Sequence, residues 1–170
     1  MKDLGTQVLE KPDLYNPVWI NVTLAFCLIV STNIIQYFSS PGNSAYKFDF
    51  KAVGKAFSIV FGFAFFLPAI LVLLFYISSS PLGLKKIIGM LSLYSYSNIF
   101  YIVATVLSLI PLKTVSWIAF LLSSLVIVFF LNVNFYHFTY TLSELNKKIT
   151  FGFLAVLSLF AGLCYKLNFF

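Results

Sequence analysis

Phe61-Gly-Phe-Ala-Phe-Phe-Leu67 is apolar at every position, so it has no face to turn toward water. A strand crossing a membrane alternates apolar and polar side chains, and a helix lying on a soluble core keeps a polar flank. Neither pattern is present. The surrounding run from Ala56 to Ile77 carries no charge. At about 1.5 Å per residue it is long enough to cross roughly 30 Å of hydrocarbon as a helix. Pro68 falls inside this run, where it removes one backbone hydrogen bond and predicts a kink repaired by neighbouring helices.

Four further uncharged runs stand on either side: Val18 to Phe38, Ile87 to Ile110, Val115 to Tyr136, and Ile149 to Tyr165. The connections are short, at Ser39 to Lys55, Ser78 to Lys86, Pro111 to Thr114 and His137 to Lys148. Pro111-Leu-Lys-Thr leaves room only for a tight antiparallel hairpin. The expected fold is therefore all-α, an integral membrane helical bundle of about five transmembrane helices. It forms one domain over residues 17–170, behind a short polar segment, residues 1–16.

Composition agrees. The chain is 61% hydrophobic and 9% charged, with 21 phenylalanines in 170 residues, whereas soluble domains are roughly 25% charged. A net charge of +6 raises the question of nucleic acid, but all 11 basic residues are lysines scattered over the connections. No arginine fork is present to grip phosphates or base edges. The lysines read as markers of span ends meeting lipid headgroups, and nucleic acid is not an expected partner.

Asp3, Glu10, Lys11 and Asp13 precede the first run and no small-residue cleavage pattern closes it, so it reads as a retained span rather than a signal peptide. Asn21-Val-Thr23 matches a glycosylation sequon, but its place at the membrane entry marks the match as chance. Five spans put the termini on opposite faces. Lys2, Lys11, Lys85, Lys86, Lys147 and Lys148 then share one face, and Lys47, Lys51, Lys55, Lys113 and Lys166 the other. The pairs at 85–86 and 147–148 hug span ends and weight the first face toward the cytosol.

Catalysis inside a membrane requires ionisable groups, which are costly there and kept for function. The five runs contain no Asp, Glu, Lys, Arg or His. The lone His137 reads as an interfacial residue, and Cys27 and Cys164, without CxxC spacing, read as small buried hydrophobes. No enzyme activity, metal or cofactor is expected. The third run is more informative, because Ser92, Ser95 and Asn98 recur every three residues with Tyr94, Tyr96 and Tyr101 around them. Such a stripe bonds neighbouring helices or lines a path. Small residues at helical spacing, Ser58 with Gly62, Ala119 with Ser123 and Ser158 with Gly162, predict close backbone approach.

Ahead of the first run, Pro12-Asp-Leu-Tyr-Asn-Pro-Val-Trp-Ile20 resembles the Asp-Leu-Tyr-Gly-Pro signature of the YIP family, the Ypt-interacting proteins. Leu93-Tyr-Ser-Tyr-Ser97, Phe100-Tyr-Ile102, Leu109-Ile-Pro111 and Val115-Ser-Trp-Ile118 are similar, in order and spacing, to that family's Tyr-Gly-Tyr-Ser, Tyr-Ile-Pro, Ile-Ile-Pro and Arg-Trp-Ile run. Trp19 and the Ile-Pro turn most resemble the Golgi YIPF branch. The resemblance implies five spans, a cytosolic N-terminus, a lumenal C-terminus and residence in Golgi or endoplasmic reticulum membranes. It also implies association with prenylated Rab GTPases and fellow family members in vesicle traffic. On that reading Asp13, Leu14, Tyr15, Pro17, Trp19, Tyr94, Ser95 and Tyr96 are candidate partner contacts.

Bottom-up, the first motif reads as an interfacial anchor, with Tyr15 and Trp19 at headgroup level and Pro17 opening the helix. Asn16, Ser95 and Val103 replace two glycines and a proline of the family pattern. Asn tolerates positive φ, so Asn16 is expected to preserve a turn. The leading expectation is a non-enzymatic membrane scaffold of the early secretory pathway. The alternative is a small transporter, channel or lipid-moving protein with its path along Ser92, Ser95 and Asn98.

Overall fold

The computed structural model describes Asp13 and residues 15–39, 50–77, 83–110, 112–139 and 144–170. These residues form α1 (Tyr15–Ser39), α2 (Phe50–Ile77), α3 (Leu84–Ser97), α4 (Ile99–Leu107), α5 (Lys113–Thr139) and α6 (Glu144–Phe169). Five lengths of helix are long and apolar enough to cross a membrane, with α3 and α4 together supplying the third. Phe26, Phe38, Phe65, Phe66 and Phe129 stand exposed on the outer surface, where an aqueous protein would not keep them. The protein is a multi-pass membrane protein built as an all-α bundle.

The helices outrun the uncharged segments that announce them. α2 begins at Phe50 and takes in Lys51 and Lys55, and α6 takes in Lys147, Lys148 and Lys166. Lysine is a good helix former whose long stem carries its charge toward the interface. A lysine therefore ends the hydrocarbon before it ends the helix. α2 also continues through Pro68, which is buried.

The third span differs from the single helix expected over Ile87 to Ile110. At Asn98 the ladder tightens: its N–H bonds the Ser95 carbonyl at 3.1 Å, and the Tyr101 N–H bonds the Asn98 carbonyl at 3.0 Å. The Ser97 hydroxyl donates back to the Tyr94 carbonyl at 2.6 Å. Hydroxyls that bond backward in this way compete with the i→i−4 ladder and favour a 3₁₀ turn. Asn98 therefore sits at a joint between α3 and α4.

α1 is the hub of the bundle and packs on α2, α3, α4 and α6, while α5 and α6 form the most extensive pair. Leu24, Leu28, Leu71, Leu93, Phe120 and Tyr165 are fully or almost fully buried in the shared core. Of the small-residue pairs, Ser58 with Gly62 faces open space, because a Cβ at Gly62 would meet nothing within 4 Å. Gly162 is the opposite case. A Cβ there would overlap Ser124 Oγ and lie 3.3 Å from Tyr101 Oη.

Gly162→Val should lower stability by about 1–3 kcal/mol through overpacking of the α4–α5–α6 junction. Gly152→Val carries the same helix-propensity change at a position with nothing within 4 Å and should change stability far less. SDS titration of the detergent-solubilised protein reads both, and equal effects would refute the close approach at Gly162.

Candidate functional site

The start of α1 is built by Asp13. Its carboxylate accepts the backbone N–H of Tyr15 and the side-chain amide of Asn16, each at 2.8 Å, and the first of these satisfies a first-turn N–H that no helix satisfies itself. Asn16 thus lies in the first turn of a right-handed helix. The positive-φ turn expected from its replacement of glycine is not formed. Tyr15 and Trp19 are 69% and 53% exposed and meet edge to face at 6.0 Å between ring centroids. They point away from the bundle.

The other face of the same turn points inward. The backbone carbonyl of Asp13 accepts the Ser92 hydroxyl at 2.5 Å. One turn deeper, the Asn21 amide donates to Ser95 Oγ at 3.1 Å and to the Pro17 carbonyl at 3.0 Å. Asn98 completes the set by donating to Asn21 Oδ1 at 2.7 Å. Ser92, Ser95 and Asn98 are buried, as is Asn21. The three-residue stripe of α3 therefore lies along α1, and the two distant motif stretches meet in space.

Between α1, α2 and α3 a cavity of about 140 Å³ opens over this contact, lined by Pro17, Asn21, Phe61, Leu91 and Ser95 among others. A second polar cluster lies deeper. Tyr101 Oη donates to the Ser158 carbonyl at 2.6 Å and stands 3.3 Å from Ser124 Oγ, and its ring packs edge to face on Tyr165 at 5.0 Å. The Tyr101 hydroxyl thus binds a carbonyl of an adjacent helix, as a polar group excluded from water must, and Ser124 bonds the Phe120 carbonyl of its own helix at 2.8 Å, while the Ser158 and Tyr165 hydroxyls have no partner among the described residues. Among the described residues no group of three His, Cys, Asp or Glu side chains could hold a metal ion.

Of the residues singled out from sequence, Asp13, Pro17 and Ser95 are brought together with Ser92 and Asn98. Tyr94 is buried in the core beside them and Tyr96 is half-buried. Tyr15 and Trp19 lie on the outer surface. Leu14 and the side chain of His137 fall outside the described residues. Cys27 and Cys164 are half-buried free thiols. Asn21 belongs to the cluster although sequence reading gives it only a chance sequon. Its signal was available in part, since a carboxamide one turn inside a span needs a partner and Asn98 is the carboxamide of the third run.

The architecture defines a polytopic helical membrane protein whose interior is tied by uncharged polar contacts. Several curated relatives share its sequence, two of them as follows. The YIPF1 homolog of Dictyostelium discoideum is 31% identical over 165 residues, covering 96% of this chain and 46% of that protein. The YIP5 protein of Schizosaccharomyces pombe is 28% identical over 153 residues, covering 84% of this chain and 60% of that protein. The chain belongs to the YIP/YIPF family. It spans about half the length of the first relative and less than two thirds of the second. No family model matches it, and no solved structure does.

A double-mutant cycle measures the interhelical bond. Asn98→Leu and Asn21→Leu should each destabilise the detergent-solubilised bundle, with a coupling energy of about 0.6–1.7 kcal/mol, between the average and the maximum for side-chain hydrogen bonds in a membrane protein. Additive single effects would show that the two amides do not support each other.

Proposed function

We propose that the protein is a non-enzymatic membrane scaffold of vesicle-mediated transport, residing in Golgi or endoplasmic reticulum membranes and associating with Rab GTPases and other family members. The observation that carries this reading is the match along 96% of the chain to a YIPF1 homolog. A second support comes from the stripe on the third span, whose polar groups bond Asp13 and Asn21 at the start of the first. Groups engaged in this way serve assembly better than conduction.

Rab GTPases carry prenyl chains, and the bundle offers an apolar groove of about 370 Å³ between α2 and α6, lined by Ile59, Gly62, Phe63, Phe66 and Cys164 among others. Each methylene buried in such a groove contributes about 0.8 kcal/mol. The groove floor at Gly62 has open space above it. A larger side chain there fills the groove without forcing the helices apart.

Proximity labelling from a tag on the N-terminus in living cells should return Rab GTPases and Golgi proteins. A neighbour list confined to lumenal proteins would invert the topology and defeat this reading. In binding assays, Gly62→Leu should weaken capture of a prenylated Rab several-fold while leaving the fold intact. Equal binding of prenylated and unprenylated Rab would discard the groove's role. Reconstituted protein should support no solute or lipid flux, and a flux abolished by Asn98→Leu would favour the transporter instead.

A further inference from the structure

At the end of the bundle opposite Asp13, α1, α4, α5 and α6 enclose a cavity of about 180 Å³ whose lining includes Ser108, Lys113, Ser116 and Lys166, with Ile110 and Phe170 beside them. Lys166 is only 4% exposed. Its ammonium lies 5.5 Å above the Trp117 ring and 5.8 Å from that of Phe170, and no described carboxylate pairs with it. The side chain is packed away while its ammonium faces the cavity, and an ammonium so largely stripped of water is costly unless an anion compensates it, ring faces offsetting only part of that cost.

Apart from the last turn of α6, which carries the negative end of its helix dipole, other features of the cavity have the same sign. Lys113 contributes a second ammonium to the lining. It opens α5, a 27-residue helix with no acidic residue in its first turn, so the positive end of that helix's dipole points the same way. The Val115 and Ser116 amides bond the Leu112 carbonyl at 3.0 and 3.3 Å, and the amides of Lys113 and Thr114 come ahead of these first intrahelical bonds. Ser116 Oγ bonds Ser108 Oγ at 3.1 Å, and Ser108 in turn bonds the Ala104 carbonyl at 2.8 Å. The hydroxyls are thereby held at the cavity wall.

We propose that this cavity binds a phosphate group, and specifically the headgroup phosphate of an anionic phospholipid. The depth favours a lipid over a free ion, because the cavity sits at the ends of four membrane-crossing helices, where headgroups lie. Its flank favours a lipid too: Ile110 and Leu112 are exposed apolar side chains at its mouth and offer a surface for the first methylenes of an acyl chain. Lys113 and Lys166 supply the charge-assisted bonds, and Lys166 supplies the depth. This site is independent of any Rab contact, since it uses neither the α2–α6 groove nor the start of α1.

Native mass spectrometry of the full chain, released from mixed vesicles of phosphatidylcholine and phosphatidic acid, tests the site. Phosphatidic acid should be retained in preference to phosphatidylcholine. Lys166→Met, which keeps the stem and removes the charge, should weaken that retention about tenfold. Lys113→Met, at an exposed position that does not threaten folding, should weaken it in the same direction by less. Lys85→Met, at the other end of the bundle, should leave it unchanged. Equal retention of both lipids, or unchanged retention by both Lys166→Met and Lys113→Met, would overturn the proposal. Displacement of phosphatidic acid by millimolar inorganic phosphate would overturn the lipid assignment in favour of a free phosphate.

Discussion

Hydrocarbon offers a carboxamide no hydrogen bonds, so the side chains of Asn21 and Asn98 must find theirs on protein. Asn21 finds its partners on Pro17, Ser95 and Asn98, and the Asn98 amide finds one on Asn21, while the Asn98 side-chain carbonyl oxygen has no partner among the described residues. The contact locks α1 against the third span at one depth and one rotation, because a slip by a residue would move every amide off its partner. Leucine packing against leucine would not do this, since lipid tails are as apolar as the core. The remaining helices assemble on that pair: α2 closes over it, and α5 and α6 pack as a second pair along the other side of the third span and α1. The 3₁₀ joint at Asn98 belongs to the same arrangement, for it occurs at the residue whose amide must reach α1.

The two ends of the bundle differ in kind. At one end Asp13 anchors the start of α1 with its carboxylate and ties α3 with its carbonyl, so backbone and side chain of one residue join two spans. At the other end the described charges are all lysines. Lys55 reaches the Asn168 carbonyl at 3.2 Å and lies 5.7 Å from the Phe169 ring, so the last turn of α6 is capped by a cation from α2. That is the favourable sign at a helix C-terminus. Lys166 shares this benefit, but it is also drawn inward by Trp117 and Phe170, and the neighbouring start of α5 opposes it. One end is therefore closed by internal bonds, while at the other the Lys166 ammonium stands against the Trp117 and Phe170 rings with no described carboxylate side chain beside it.

The fold was legible in the sequence wherever composition alone decides. Residues such as Phe61 to Leu67 have no polar face, and lysines punctuate the runs between them, so span number and helical class follow without knowledge of packing. Partnership was less legible. Ser92, Ser95 and Asn98 announce an inward face by their spacing, but spacing does not say which helix they meet, and Asn21 shows no periodicity of its own. Asn16 misled for a local reason: the positive φ that asparagine tolerates was not required, because Asp13 had already captured its side chain in a helical turn. Lys166 stands one step past an apolar run and reads in the sequence as one more lysine at a span end. Its burial depends on Trp117, nearly fifty positions earlier, and no local pattern carries that information.

This division between tied interior and bare exterior constrains how the protein can meet partners. The outer surface at membrane depth is almost wholly apolar, with Phe26, Phe65, Phe66 and Phe129 exposed, and apolar surface alone discriminates poorly between a neighbouring helix and a lipid. Selectivity must come from shape, as in the groove above Gly62, or from the interfacial levels where polar groups are affordable. At one of those levels stand the outward ring pair of Tyr15 and Trp19, adjoining a helix start that is fixed by Asp13. A partner surface carried on a helix turn held at three points, by Tyr15 N–H, Asn16 and Ser92, is rigid before any partner arrives, so little ordering cost falls on the encounter. The same bonds that let α1 enter the bilayer in one orientation thereby present its aromatic pair in one orientation.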